Sequence, residues 1–172
     1  KERVPVLLDA LARLGDESPN GAPVWPLQGR ETGCMTGYHS APVIAEAAVK
    51  GFTGIDYGRA YKVLRRRAMD EDYRGLGDYR KMGYIPSDKE EESATKTLEY
   101  SYDDWAMAQL ARKLGHEDDA ALFEGAMALA TQIASNPPQV VQGVKRMMNA
   151  RIAGSIQDGL RQVAVWNAAF LA

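Results

Sequence analysis

The sequence predicts an all-α protein built of antiparallel helical hairpins, and three observations support that class. Apolar residues recur at helical spacing along most of the chain, no segment alternates convincingly with a period of two, and residues that start or stop helices fall between the apolar stripes. The first stripe runs through Val4, Leu7, Leu8, Leu11 and Leu14, and Gly15 follows it where a left-handed residue would close a helix. Asp16 to Met35 breaks the pattern with Pro19, Gly21, Pro23, Pro26, Gly29 and Gly33, so it is a long loop carrying Trp25. Pro42 suits the opening turn of the next helix and Gly51 its end. Asp56 stands at an N-cap before the stripe Tyr57, Ala60, Tyr61, Leu64 and Ala68. Further stripes pass through Leu98, Tyr102 and Trp105, then through Met107, Leu110, Ala111 and Leu114 with Gly115 after it, then through Phe123, Ala126, Met127, Ala130 and Ile133. Ser135-Asn136-Pro137-Pro138 stops that helix and starts one along Val140, Val141, Val144 and Met148, and Ser155 caps a last one along Ile156, Leu160, Val163 and Phe170.

The chain has 172 residues, 45% of them hydrophobic and 26% charged, which suits one globular domain or two small ones and disfavours a disordered tail. No run of 18 apolar residues occurs, and Lys1-Glu2-Arg3 leads into an amphipathic stretch rather than a signal peptide, so a soluble protein without a membrane partner is expected. With 21 basic and 23 acidic side chains the net charge is −2, which provides no electrostatic footprint for nucleic acid. The balance differs along the chain: residues 1–123 carry −4 and residues 124–172 carry +2. Cys34 is the single cysteine, which excludes an internal disulfide, and with His39 and His116 alone beside it no Cys/His zinc site can be assembled. A first residue that is lysine marks the chain as a candidate fragment.

The richest chemistry lies between Pro86 and Trp105, where seven acids meet two lysines beside three aromatics. Rings can stack on the apolar faces of a pyranose while carboxyl groups bind hydroxyls or transfer protons. On a helix Leu98, Tyr102 and Trp105 share a face, with Glu99 and Asp103 at its border. Two acids at i and i+4 repel each other, and a raised pKa on one of them would suit general acid catalysis. The alternative is structural: Glu90 to Glu92 favour a helix N-terminus through its dipole, and the aromatics are core. His39, just after the loop, is open to ligand contact or to a hydrogen-bonded structural role. Trp25 is a sugar platform or a loop anchor, and Glu31 has no spacing argument of its own. Cys34 reads as a small buried hydrophobe, Arg65-Arg66-Arg67 as a solvated or salt-bridged face, and Met147-Met148 as core.

Residues 1–123 resemble the catalytic domain of family 92 glycoside hydrolases, which are α-mannosidases. The likeness rests on Pro23-Val24-Trp25-Pro26-Leu27 leading to Glu31-Thr32, on Met35-Thr36-Gly37-Tyr38-His39-Ser40-Ala41-Pro42-Val43-Ile44, on Tyr73-Arg74-Gly75-Leu76, and above all on Ser93 to Trp105 with its T-L-E-Y-x-Y-D-D-W core. The resemblance implies part of an (α/α)6 barrel, calcium-dependent hydrolysis of α-mannosides with inversion, and action commonly outside the cytoplasm. It places the family's general acid on Glu99 and makes Trp25, Glu31 and His39 candidate substrate contacts. Inversion also needs a base on the opposite face of the sugar. The family's base aspartates lie in an N-D-D-x-G-Q-like segment about a hundred residues beyond the acid, and none follows Glu99 in this chain. Calcium takes six to eight oxygens, and its ligands cannot be assigned from these residues.

From Glu124 the text changes. Ile133-Ala134-Ser135-Asn136-Pro137-Pro138, Val141-Gln142-Gly143-Val144-Lys145-Arg146 and Gly159-Leu160 with Val163 to Leu171 resemble the C-terminal helices of the crotonase superfamily, the enoyl-CoA hydratases and isomerases. Those helices cover the acyl-CoA site and help form a trimer but do not hold the family's oxyanion hole, so alone they imply no chemistry. Lys145 and Arg146 read as solvated helix charges. The expected organisation is therefore a mannosidase-like segment (1–123) joined to a crotonase-like helical tail (124–172). Three functions follow from it: a mannosidase fragment that keeps its acid and lacks its base, a non-catalytic module that self-associates through an apolar face, and a fragment of a CoA-ester enzyme.

Overall fold

A computed structural model describes residues 2–18 and 21–125. The chain divides into two units, Lys1–Ala130 and Thr131–Ala172, and the described residues belong to the first. The helices expected beyond residue 125, the crotonase-like tail among them, lie outside the described residues.

Six helices and one short hairpin make up this part, a mostly helical architecture: α1 (Val4–Glu17), β1 (Pro26–Leu27), β2 (Arg30–Glu31), α2 (Ser40–Val49), α3 (Tyr57–Ala68), α4 (Leu76–Met82), α5 (Ser93–Leu114) and α6 (Glu117–Gly125). Helix α5 is central, packing against α2, α3 and α6, while α1 lies on α3. Alanines at 41, 45 and 48 on α2 and at 106, 108 and 111 on α5 are all buried. Such small side chains let helix axes approach closely.

Local chemistry explains several helix ends. Asp56 caps α3 by accepting from the Arg59 amide at 2.9 Å. Helix α2 ends in a Schellman turn in which Gly51 N donates to Ala48 O at 3.1 Å and Phe52 N to Ala47 O at 3.0 Å. The two expected stripes from Leu98 to Leu114 form one continuous helix, α5, with Gly115 at its C-cap.

Four expectations are corrected. Gly15 does not end α1 but lies inside it, buried, and a Cβ there would overlap Val63 Cγ1. The loop from Asp16 to Met35 contains an antiparallel hairpin, Pro26 opposite Glu31 and Leu27 opposite Arg30, turned by Gln28 and Gly29 with φ of 51° and 77°. Strands of two residues are too short to alternate visibly. Cys34 is exposed. Of the three arginines, Arg65 does pair with Asp119 at 2.7 Å, but Arg67 is buried, with its guanidinium 3.7 Å above the Tyr73 ring.

The apolar stripe of α5 also has an unexpected orientation. Leu98, Tyr102 and Trp105 do share a face, but that face is exposed, while Lys96, Asp103 and Asp104 point inward. The acids before the helix are used differently too: Glu90 pairs with the buried Lys96, whose Nζ also donates to Glu91 O at 2.7 Å.

Candidate functional site

Glu99 lies two turns into α5, and Asp103 follows one turn later. Facing them is the segment that enters α2, with Tyr38 and His39 at its end. His39 stands between the two acids. Its Nδ1 lies 3.0 Å from Asp103 Oδ1 and its Nε2 lies 3.5 Å from Glu99 Oε2. The repulsion expected between acids at i and i+4 is thus offset by a basic ring placed from a remote segment.

Exposure separates the two carboxyl groups. The Asp103 side chain is 0% exposed, His39 28% and Glu99 37%. Asp103 Oδ2 also accepts from the Tyr38 amide at 2.5 Å. Burial pushes the Asp103 pKa up, against the opposing pull of the His39 hydrogen bond and the Tyr38 amide. The His39 pKa is raised, chiefly by its hydrogen bond to Asp103; burial opposes this, and the charges of Asp103 and Glu99 add to it.

A second layer fixes this arrangement. The Tyr38 hydroxyl donates to Asp104 Oδ1, which also receives Arg80 Nη2 at 3.1 Å. Asp104 is fully buried, and burial outweighs the charge of Arg80, raising its pKa to about 6. Gly37 makes the approach sterically feasible: with φ of +76°, a Cβ on it would lie 2.5 Å from His39 Cε1 and 2.8 Å from Asp103 Oδ2.

The expected contact residues fall into two pairs. His39 and Glu99 form one. Glu31 and Trp25 form the other: Glu31 accepts from the amides of Val24 at 2.5 Å, Trp25 at 3.0 Å and Gly33 at 2.8 Å. Burial raises the Glu31 pKa, but these amides outweigh it and the group ends lower than an ordinary glutamate. Glu31 therefore organises the loop that presents Trp25, whose ring is exposed. Ser40 links the two pairs by donating to Pro23 O.

Beside His39 a groove of about 550 Å3 runs between α2 and α5, lined among others by Val43, Val49, Tyr102, Trp105 and Gln109. The Tyr102 and Trp105 rings are stacked there at 6.1 Å and 19°. Among the described residues no group of three or more His, Cys, Asp or Glu side chains is arranged to hold a metal ion. No calcium ligands are assigned among the described residues, and no chemical step is assigned to the ion. Among the same residues no helix is long and apolar enough to cross a membrane.

Sequence reasoning missed Tyr38, Arg80 and Asp104 and placed Asp103 at the border of the aromatic face, as one of two acids of which one would suit acid catalysis if its pKa were raised. The tandem Asp103-Asp104 inside a helix was the available signal, since two buried acids require partners.

The glycosyl hydrolase family 92 catalytic domain matches residues 2–129, and the chain belongs to that family. Solved structures agree. A family GH92 alpha-mannosidase from Bacteroides thetaiotaomicron is 44% identical, with a TM-score of 0.72 over 77% of this chain. That mannosidase in complex with mannoimidazole gives 43% identity and a TM-score of 0.73 over 80% of this chain. A family GH92 inverting mannosidase from Bacteroides thetaiotaomicron is 28% identical, with a TM-score of 0.66 over 74% of this chain. This chain spans 18% of the length of each of those chains. No curated protein matches it.

Proposed function

We propose that this chain is the acid-bearing part of a calcium-dependent, inverting α-mannosidase acting on mannan or N-glycan chains. Glu99 is its proton donor, and Trp25, Glu31 and His39 belong to the substrate side of the site. One observation carries the reading: Glu99, at the T-L-E-Y position, is part-exposed beside His39, and among the described residues no lysine or arginine pairs with it. A donor must reach the glycosidic oxygen and must not be locked as a carboxylate in an ion pair. The mannosidase bound to mannoimidazole supports a mannose-like ligand for this site.

On this reading the helices of residues 1–123 form part of an (α/α)6 barrel, and the crotonase-like segment 124–172 adds no chemistry. On the same reading these 172 residues hold the acid without an N-D-D-x-G-Q-like base segment, and by themselves they bind substrate without turning it over. The test is calorimetric titration with mannoimidazole, alongside hydrolysis of an α-mannoside with calcium and with a chelator. Binding should weaken about tenfold in Glu99→Gln, the loss of roughly one charge-assisted hydrogen bond. Equal binding by that variant, or measurable hydrolysis that the substitution leaves unchanged, removes Glu99 from the mechanism.

A second reading, a self-associating module, is favoured by the exposed face of Val43, Val49, Leu98, Tyr102 and Trp105. Light scattering decides it: a mass above one chain supports the module, and a monomer at every concentration rejects it.

A further inference from the structure

An acid catalyst must hold a proton when the glycosidic bond breaks, yet a carboxyl group is ordinarily ionised near neutral pH. After each donation the acid therefore needs a proton source. We infer that Asp103 is a positioning residue that fixes the His39 ring with Nε2 toward Glu99, so that His39 and Glu99 share one proton and His39 reloads Glu99 after each donation. This rests on the reading of Glu99 as the acid.

Asp103 Oδ2 faces the Tyr38 amide at 2.5 Å, which can only donate, and Oδ1 faces His39 Nδ1 at 3.0 Å. As a carboxylate Asp103 accepts a hydrogen bond from Nδ1–H and holds the ring plane, leaving Nε2 as the atom that gains or loses a proton. Nε2 lies 3.5 Å from Glu99 Oε2, a charge contact that a small rotation of the half-exposed glutamate shortens to a hydrogen bond. Gly37 lies against the Cε1 edge of the ring, where a Cβ would sit 2.5 Å from Cε1 and 2.9 Å from Nε2.

The proton count balances. Glu99 gives its hydrogen ion to the departing sugar oxygen and becomes a carboxylate. His39 Nε2, bare while Glu99 held the shared proton, then takes a hydrogen ion from solvent at its exposed edge, and the imidazolium passes it to Glu99, leaving a neutral ring with Nδ1–H still on Asp103. The charged groups facing the ring are consistent with this role. Helix α5 supplies Asp103 and Glu99; helix α2 carries Glu46 and Lys50 along the same groove, and these pair with each other. The raised His39 pKa agrees with the arrangement.

The chain has two histidines, so nitrogen-15 NMR of the imidazole rings reads this directly. His39 should titrate above the ordinary value as the Nδ1–H tautomer, and Glu99→Gln should lower its midpoint by about one pH unit while leaving His116 unmoved. Asp103→Asn should lower the midpoint and mix the two tautomers. Because Asp103 is buried, Glu99→Gln, at a part-exposed position, is the decisive variant. A His39 midpoint indifferent to Glu99→Gln overturns the shared proton, even where mannoimidazole binds. A coupled midpoint with no mannoimidazole binding leaves the pair standing and removes the glycosidase reading instead.

Discussion

Asp104 shows how one buried side chain sets a pH dependence. Its carboxyl is fully buried, and burial, opposed by the charge of Arg80 and the Tyr38 hydrogen bond, raises its pKa from 3.8 to about 6. The native state therefore holds this proton more tightly than the unfolded chain. The stability Asp104 contributes is greatest below its unfolded value and falls as pH rises from about 4 through about 6, by about 3 kcal/mol. Asp103, also raised, acts in the same direction, and His39 extends the decline above its unfolded pKa. Urea unfolding at pH 4 and pH 7 should show the loss, and Asp104→Asn should flatten the decline; an unchanged slope in that variant rejects the assignment. Gly15 is the steric counterpart. Replacing it by alanine adds about 1 kcal/mol of helix propensity, but the new methyl overlaps Val63 Cγ1 and lies 3.0 Å from Ala22 Cα. Overpacking of this kind costs roughly 1–3 kcal/mol, so Gly15→Ala should lower the urea midpoint, and adding Val63→Ala should recover part of it.

Among the elements, α5 has its rotation fixed by polar rather than apolar partners. Tyr38, His39 and Arg80 draw Asp103 and Asp104 inward, and the aromatic pair Tyr102 and Trp105 is turned out as a consequence. Leaving two acids buried without those donors would cost several kcal/mol, more than burial of one or two apolar side chains returns. Helix α3 is governed more locally, by the Asp56 cap on the Arg59 amide. Asp56→Ala should destabilise the protein by about 1 kcal/mol and Asp56→Asn by much less, as measured by chemical denaturation. Equal losses in both variants would assign the effect to charge instead of capping.

At the scale of the whole molecule, the groove between α2 and α5 presents aromatic and aliphatic surface beside the Glu99 and His39 pair. If that surface drives self-association, Val49→Glu with Leu98→Glu should return the chain to monomer in light scattering without loss of helicity; persistent assembly in the double variant locates the contact elsewhere. The positions of α1, α2 and α3, the Asp56 cap, the Gly51 and Gly115 ends and the family itself were legible in the sequence, because periodicity, capping and motif order are properties of neighbouring residues. The hairpin was not, since two-residue strands leave no period to read. Nor was the burial of Asp103 and Asp104, or the place of His39 between Glu99 and Asp103. These depend on contacts between residues 60 to 66 positions apart, and only the packing of α2 against α5 brings such distant groups together.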